Sequence, residues 1–477
     1  MRNMTVTAWP AAGSSRGGPV GKVDPQLSQL WISSHGCAFG TSEEKPYSVS
    51  KGAGGSILAS AAGSTPAPRV VCMSRDAHLS GDDDSRPRIL VILFGTLEFD
   101  GRVQRMVEVL NLLDARVWLV DIAPEKVLTT ADCPGLKRIS IPLPKRPGRV
   151  GRHLRLLLAA IREARRIRPD VVVGADYFAA PASLLAARLT GAALIYDAHE
   201  LLVPGDSRMS ARHRFWYYLE RLVVRRSDRV LAANEERARL MSEHYGLAKL
   251  PAVMRNIPPE REPAWTEAEV LAAFPALTRR SPDEKIVLYQ GHVSVSRGLG
   301  RFVEAFHHLP EEYRLVVVGD GPDLERLKAA AQPLTAAGRF TAVGAVPNRV
   351  IGSVTRLADV GIITYPFKGL NNLYCAPNKI FEYAQAGVPV VATDQPPLRR
   401  MVDGYQIGVC ITETDGPEVI AAAIETVARR GRESFAPSLM RFCSEHRWET
   451  EAKRLADELR PVLVSRLGKH DLARSPE

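Results

Sequence analysis

Over most of its length, the sequence alternates between short apolar runs and segments whose apolar residues recur at helical spacing. Residues 89–94 (ILVILF) form one such run, and residues 103–113 follow it with a helical pattern. A continuous apolar run is typical of a strand buried on both faces of a parallel sheet. Strands that alternate with helices predict a parallel sheet with helices covering both of its faces.

The alternation pauses near residues 256–259 (NIPP) and then starts again. A chain of 477 residues is long enough for two domains of ordinary size. We therefore predict an α/β protein with two doubly wound, Rossmann-like domains, at residues 87–258 and 259–435. Ligands bind beyond the carboxyl ends of the strands in such sheets, so two facing domains form a binding cleft.

The first 86 residues differ from the rest of the chain. Residues 1–86 are rich in Gly, Ser, Ala and Pro and have no sustained periodicity, which predicts a disordered tail. Three consecutive aspartates at 82–84 resemble a metal-binding motif, but we interpret them as linker charge because they lie in this tail.

The net charge of +10 is concentrated in the first domain. Residues 145–168 hold nine basic side chains and one acidic one, and residues 208–229 hold seven and two. Between Arg214 and Arg226, aromatic residues lie among arginines, a pattern typical of a helix that lies on an anionic membrane surface. A solvated helix face is the alternative interpretation. No recognition motif accompanies the charge, so we expect no nucleic-acid partner.

The location of the protein is predicted from what the sequence lacks. No run approaches the roughly 18 apolar residues that a membrane-spanning helix needs. The first 60 residues lack the basic start and apolar core of a secretory signal. We expect a cytoplasmic protein, peripheral on the inner face of the membrane if the basic helix binds lipid.

Residues 377–387 (PNKIFEYAQAG) have the features of a short helix that faces an anion. Pro377 suits a first helical turn, and Gly387 suits a helix end. Lys379 in the first turn opposes the helix dipole unless an anion lies in front of it, as a diphosphate would. Glu382, one turn later, can accept hydrogen bonds from a ribose diol. A surface helix with unrelated charges is the alternative.

A second group of polar residues is predicted at the same cleft. His199 follows an apolar run within residues 196–201 (YDAHEL), although a lone histidine is often structural. The loop after the first strand contains Gly95, Asp100, Gly101 and Arg102, and its glycines allow a ligand to approach the backbone. This loop lacks the GxGxxG spacing of a dinucleotide site, which argues against an NAD enzyme.

Residues 377–393 (PNKIFEYAQAGVPVVAT) closely resemble the donor-site helix of retaining glycosyltransferases of family 4, in the subgroup with a P-x-K-x-x-E helix. The resemblance covers about residues 88–450 and implies the GT-B fold, with a C-terminal helix at 436–477 that crosses back to the first domain. Other segments resemble motifs of the family in the same order: 196–201 (YDAHEL), 233–236 (ANEE), 255–258 (RNIP), 289–299 (YQGHVSVSRGL), 316–322 (VVVGDGP) and 343–347 (VGAVP).

The resemblance also assigns roles to single residues. It implies catalytic roles for His199 and Glu382, and an acceptor-side position for the loop of Gly95, Asp100, Gly101 and Arg102. It implies that six residues bind the donor: Gly291, His292, Arg297, Gly298, Asn378 and Lys379.

The expected reaction transfers a hexose from a UDP- or GDP-sugar to a glycan or lipid-linked acceptor, with retention of configuration. Arg297 and Lys379 would stabilise the leaving diphosphate without a metal or other cofactor. The family commonly has a glutamate eight positions before Glu382, where this chain has Tyr374. The alternative is therefore a catalytically silent GT-B protein that binds a nucleotide or acts as a scaffold in a glycan-assembly complex.

Overall fold

A computed structural model describes residues 86–123, 135–142, 148–205, 209–260 and 262–474. The predicted tail lies outside these residues except for Arg86, and so does the aspartate run at 82–84. The two basic segments, 145–168 and 208–229, are described except for residues 145–147 and Arg208.

The first domain contains a parallel sheet, as the apolar runs predict. Its strands follow the order β3-β2-β1-β4-β5-β6-β7, and every neighbouring pair is parallel. The strands are β1 (Arg88–Leu93), β2 (Arg116–Ala123), β3 (Leu136–Pro142), β4 (Val171–Ala175), β5 (Ala193–Asp197), β6 (Arg229–Ala232) and β7 (Ala252–Val253).

Among the described residues, five helices connect these strands. The helix predicted at 103–113 begins two residues earlier, because the side chain of Asp100 caps it by accepting from the backbone N–H groups of Arg102 and Val103. The five helices are α1 (Gly101–Asn111), α2 (Arg149–Ile167), α3 (Asp176–Thr190), α4 (Ala211–Val224) and α5 (Glu235–Tyr245).

The second domain repeats this plan with the strand order β10-β9-β8-β11-β12-β13, again parallel throughout. Its strands are β8 (Lys285–Gln290), β9 (Tyr313–Val318), β10 (Phe340–Gly344), β11 (Val360–Ile363), β12 (Val390–Thr393) and β13 (Gly408–Ile411).

The helices of the second part of the chain include several of only one or two turns. The helices are α6 (Glu267–Ala273), α7 (Leu299–Ala305), α8 (Leu324–Ala330), α9 (Gln332–Ala336), α10 (Asn348–Thr355), α11 (Leu370–Leu373), α12 (Lys379–Gln385), α13 (Pro396–Tyr405), α14 (Pro417–Arg430), α15 (Arg432–Glu445) and α16 (Trp448–Arg474).

The last helix, α16, returns to the first domain. The indole N–H of Trp448 donates to Glu108 of α1 at 2.5 Å. Glu458 pairs with Arg229 at the start of β6. The preceding helix, α15, packs on α12 and α13 of the second domain instead. The predicted α/β architecture of two doubly wound domains joined by a returning helix is confirmed. The predicted limits at 258 and 435 stay predictions.

Candidate functional site

Both sheets reverse their strand order at one point, and ligands bind at the carboxyl ends of strands beside such a point. In the first sheet the reversal falls between β1 and β4. Gly95 lies just after β1 and Asp176 directly follows β4, while His199 lies two residues after β5. In the second sheet the reversal falls between β8 and β11, where Gly291 and Thr364 directly follow the strands. Three of the predicted site residues, Gly95, His199 and Gly291, therefore lie at these two edges.

The loops after β8 and β9 pack backbone against backbone. A Cβ atom on Gly319 would lie 1.9 Å from the carbonyl oxygen of Gly291, and one on Gly321 would lie 2.0 Å from that of Val293. The N–H of Gly291 donates to the carbonyl of Val318 at 2.8 Å. Only glycine at these positions permits so close an approach. The residues after β8 are thus held in one position.

The helix predicted to face the donor is shorter than the sequence indicates. Helix α12 begins at Lys379, and both Phe381 and Glu382 donate their backbone N–H groups to the carbonyl of Asn378, which is the N-cap. Pro377 therefore precedes the helix rather than lying in its first turn. Gly387 ends the segment in a left-handed conformation with φ of 69°, as predicted. Because α12 has only seven residues, the full charge of Lys379 contributes more to anion attraction than the helix dipole.

Glu382 is held in a fixed orientation. Its Oε2 accepts from the amide of Gln290 at 2.6 Å, and its Oε1 accepts from Asn378 at 3.1 Å. The hydroxyl of Thr355 donates to the Gln290 side-chain oxygen at 2.7 Å and fixes that amide. The Nζ of Lys379 lies 3.8 Å from Oε2 of Glu382.

Lys379 also packs α12 against the loop that follows β8. A Cβ atom on Gly291 would lie 2.9 Å from Cε of Lys379, so the lysine stem occupies the space that a side chain would need. Both Lys379 and Glu382 keep a fraction of their side-chain surface exposed, 27% and 20%. Neither side chain is completely buried.

Arg297 supplies the second cation of this region. Its guanidinium lies over the ring of Tyr365, 4.5 Å from the centroid. Burial lowers the pKa of Arg297, but the hydroxyls of Tyr365 and Tyr289 outweigh it and raise the pKa above its usual range. Gly298 follows in a left-handed conformation with φ of 71° and starts α7. Arg297 therefore carries a positive charge at neutral pH.

His292 carries no charge at neutral pH. Burial and the nearby Arg297 lower its pKa. Its Nε2 atom is buried and makes no hydrogen bond with any residue that the structure describes. Histidine at this position can therefore offer a ligand one neutral polar nitrogen.

The first-domain edge contains a network of buried charged side chains. One of its members corrects the sequence prediction. Gly101 and Arg102, predicted on the loop after the first strand, lie in the first turn of α1, and Arg102 has 1% of its surface exposed. Its Nη2 donates to Asp197 at 2.6 Å, and its Nη1 donates to the carbonyl of Met254 at 2.6 Å. The guanidinium is buried because Asp197, 95 residues later, neutralises it. Arg102 therefore positions Asp197.

Asp197 and Asp100 surround His199. Nε2 of His199 lies 3.2 Å from Asp197, and Nδ1 lies 3.8 Å from Asp100. Burial lowers the pKa of His199, but the carboxylates of Asp100 and Asp197 outweigh it and raise the pKa to about 9. The pKa of Asp197 lies far below its ordinary value, because Arg102 and His199 outweigh the effect of burial. His199 is thus protonated at neutral pH.

Asp176 belongs to the same edge and was not predicted. It is the first residue of α3, with φ of 66°, a backbone conformation that is unusual for a residue other than glycine. Such strained conformations cluster at functional sites. Its carboxylate also raises the pKa of His199. The signal in the sequence was an aspartate directly after an apolar run.

The segment before α12 is bound by the first domain. Arg237 of α5 donates to the carbonyls of Asn371 at 2.9 Å, Tyr374 at 2.7 Å and His199 at 2.8 Å. Asn234 donates to the carbonyl of Cys375 at 2.9 Å. The Tyr374 side chain packs against the core of the first domain, and it offers no carboxylate to a sugar. Helix α12 and the first-domain edge are therefore connected through this segment.

Metal-ligand clusters and membrane-spanning helices are both absent from the described part of the chain. There, no group of three or more His, Cys, Asp or Glu side chains is arranged to hold a metal ion. Among the described helices, none combines the length and the apolar character required to cross a bilayer.

Comparison with known proteins identifies related chains. Residues 101–258 match the family described as "Glycosyl transferase 4-like domain", and residues 284–430 match "Glycosyl transferases group 1". The chain is 26% identical over 382 residues to the 2-deoxystreptamine N-acetyl-D-glucosaminyltransferase of Streptomyces fradiae, covering 72% of this chain and 87% of the relative. It is 30% identical over 149 residues to the GDP-mannose-dependent alpha-(1-6)-phosphatidylinositol monomannoside mannosyltransferase of Mycobacterium tuberculosis, covering 31% and 39%.

Solved structures share the fold. Anabaena Alr3699/HepE, solved in complex with UDP and glucose, superposes with a TM-score of 0.61 at 15% identity, covering 78% of this chain and 99% of that one. The two family matches fall on the two doubly wound domains in the expected order. The chain belongs to the GT-B glycosyltransferases, and its class of reaction is glycosyl transfer.

Proposed function

We propose that the protein transfers a hexose from a UDP- or GDP-sugar with retention of configuration and without a metal or other cofactor. The arrangement of Lys379, Glu382 and Arg297 at the carboxyl edge of the second sheet carries this proposal. Lys379 lies against Gly291, and Glu382 is held by Gln290 in an orientation suited to a ribose diol. The two cations then face the diphosphate of the same nucleotide.

The charges of the site support a specific division of roles. Negative charge develops on the leaving diphosphate, and fixed cations stabilise it. His199 has a pKa of about 9, so it is already protonated at neutral pH and unsuited to act as a general base. We assign it the role of a cationic hydrogen-bond donor to the sugar or the acceptor. The acceptor hydroxyl then loses its proton to the departing phosphate, on the face from which it attacks.

Substitution of the two donor-site cations tests this proposal. Arg297→Ala and Lys379→Ala should each lower turnover of the preferred nucleotide sugar by about a hundredfold, since each removes a transition-state contact. A panel of UDP- and GDP-sugars, assayed for hydrolysis and transfer, identifies that donor first. Arg326→Ala, an exposed arginine of α8, is the matched control and should retain the rate. Unchanged turnover in both donor-site variants would rule out the assignment.

Tyr374 supports the alternative of a catalytically silent nucleotide-binding or scaffold protein. Calorimetry with UDP, GDP and their sugars separates the two functions. If the protein binds a nucleotide but neither transfers nor hydrolyses the sugar of any donor in the panel, the catalytically silent protein is supported. The relatives named as transferases favour catalysis.

The acceptor is proposed from the charge of the first domain. The relatives' names mention 2-deoxystreptamine in one case and phosphatidylinositol monomannoside in the other. The basic helix between Arg214 and Arg226 favours a glycan or lipid-linked acceptor at an anionic membrane surface, with the protein peripheral on the cytoplasmic face. We propose no nucleic-acid partner.

A further inference from the structure

The outer face of α4 is apolar at its centre and basic at its margins. Three large side chains at positions i, i+3 and i+7 point outward: Phe215, Tyr218 and Leu222, with exposed fractions of 61%, 60% and 41%. Arg214 and Arg225 flank them and are exposed. A soluble helix normally turns such a stripe toward the core.

Helix α2 presents a second stripe of the same kind. Val150, Leu154 and Leu158, at i, i+4 and i+8, are exposed by 81%, 53% and 58%. Arg155 and Arg162 lie beside them and are exposed. The sequence pattern between Arg214 and Arg226 gave no indication that a second helix exposes a similar stripe.

The two helices are adjacent. The ring of His153 on α2 lies 5.2 Å from the ring of Trp216 on α4, and it stacks at 4.1 Å on Phe94. Phe94 directly follows β1 and precedes Gly95 at the carboxyl edge of the first sheet. The rings of Trp216, His153 and Phe94 therefore connect the two apolar stripes to the acceptor side of the cleft.

Both carboxylates in the described parts of α2 and α4 are buried. Glu163 is 5% exposed and accepts from Arg162 and Arg166 at 2.9 and 2.6 Å. Glu220 is 1% exposed and accepts from Tyr196 at 2.7 Å. The outward face of the two helices thus combines six large apolar side chains with arginines and no exposed carboxylate. A bilayer with anionic lipid matches this combination, because its headgroups attract the arginines and its acyl boundary accepts the apolar side chains.

We propose that α2 and α4 together form one face, the α2–α4 face, that docks on an anionic lipid bilayer and brings the acceptor edge of the cleft to the membrane surface. The acceptor is then a lipid-anchored glycan or polyol rather than a soluble one. This second statement rests on the proposed glycosyltransferase function, whereas the docking does not.

Vesicle sedimentation of the full-length protein tests the docking. We expect binding to phosphatidylcholine vesicles that contain about 30% phosphatidylglycerol, because this fraction of anionic lipid creates a negative surface potential. We expect little binding to vesicles of phosphatidylcholine alone. Arg155→Gln combined with Arg214→Gln should lower the partition coefficient by about tenfold or more, since each basic residue near the surface contributes about fivefold. Leu154→Ser combined with Phe215→Ser should lower it by a similar factor.

Matched controls use the same changes elsewhere on the surface. Val419→Ser with Met440→Ser replaces two apolar side chains of comparable exposure, 51% and 67%, on α14 and α15. These two substitutions should leave vesicle binding unchanged. Circular dichroism and calorimetric titration with UDP or GDP check that each variant is folded with an intact donor site.

The outcomes separate the two proposals. Donor binding without vesicle binding overturns the docking and leaves the transferase function standing, and vesicle binding without nucleotide binding does the reverse. A wild-type dimer that Leu154→Ser with Phe215→Ser dissociates, in analytical ultracentrifugation, would show that a second copy covers the face and would overturn the docking. Equal loss of vesicle binding in the control variant would overturn it as well.

Discussion

At the scale of single residues, the charge of His199 has a consequence for stability. The folded protein raises its pKa from 6.5 to about 9, chiefly through Asp100 and Asp197 acting against burial. A raised pKa stabilises the folded state fully below pH 6.5, and this contribution is lost as the pH rises through 9. We expect the free energy of unfolding to fall by on the order of 3 kcal/mol over this range from His199 alone.

Urea denaturation between pH 6 and 9.5 measures this effect. In His199→Gln, the decline of the unfolding free energy with pH should be shallower than in the wild type. His308→Gln is the control, because that side chain is 41% exposed and its ion pair with Glu418 is on the surface. Parallel curves for the wild type and His199→Gln would contradict the assigned protonation state.

Residue types predicted the second-domain half of the site better than the first-domain half. Lys379 and Glu382 lie close together in sequence, so a helical spacing was sufficient to relate them. The pair of Arg102 and Asp197 is separated by 95 residues, and nothing local in the sequence indicates that one neutralises the other. The loop prediction for Arg102 was wrong because α1 begins at Gly101, where the side chain of Asp100 caps it. Asp176 was missed because its strained backbone conformation depends on packing after β4.

At the scale of secondary structure elements, the position of α12 depends on one glycine. A Cβ atom on Gly361 of β11 would lie 2.6 Å from the ring of Tyr383, which is completely buried. The hydroxyl of Tyr383 donates to the carbonyl of Leu288 at 2.8 Å, which anchors the ring to β8. Gly361→Ala should therefore displace α12 and with it Lys379.

We expect Gly361→Ala to cost about 1–3 kcal/mol of stability through overpacking and to weaken the binding of the nucleotide. Thermal unfolding and calorimetric titration with UDP or GDP measure the two effects. Gly352→Ala on α10 is the matched control, since no atom lies within 4 Å of the added methyl group. It should stabilise the protein by about 0.5–1 kcal/mol or leave it unchanged. Equal behaviour of the two variants would show that α12 does not depend on Gly361.

Elements were predicted well where one strong signal marks them. The apolar run at residues 89–94 placed β1 correctly, because parallel strands are buried on both faces. Helix ends were predicted less accurately, because the position of a cap depends on which backbone N–H and C=O groups form hydrogen bonds. The proline of residues 377–387 suggested a helix start two residues too early, because the first helical bond begins at Asn378.

At the scale of the whole molecule, the two domains are connected by the returning helix and by polar contacts across the cleft. The returning helix was expected from the family resemblance, and Trp448 with Glu108 shows the contact that holds it. The contacts made by Arg237 were not expected, because the ANEE motif was recognised without any indication of its partner. A side chain that binds three carbonyls of distant segments has no local signature in the sequence.

Arg237 holds the segment before α12 against the first domain, and its removal should open the cleft. Arg237→Met keeps much of the volume but loses hydrogen bonds to carbonyls of Asn371, Tyr374 and His199, each worth about 1.5–3 kcal/mol for a charged donor. We expect a larger radius of gyration in small-angle X-ray scattering and a fall in turnover of about tenfold or more, since closure assembles the site. Arg239→Met on the exposed side of the same helix is the control and should change neither. An unchanged radius of gyration together with wild-type turnover in Arg237→Met would show that the returning helix alone holds the domains together.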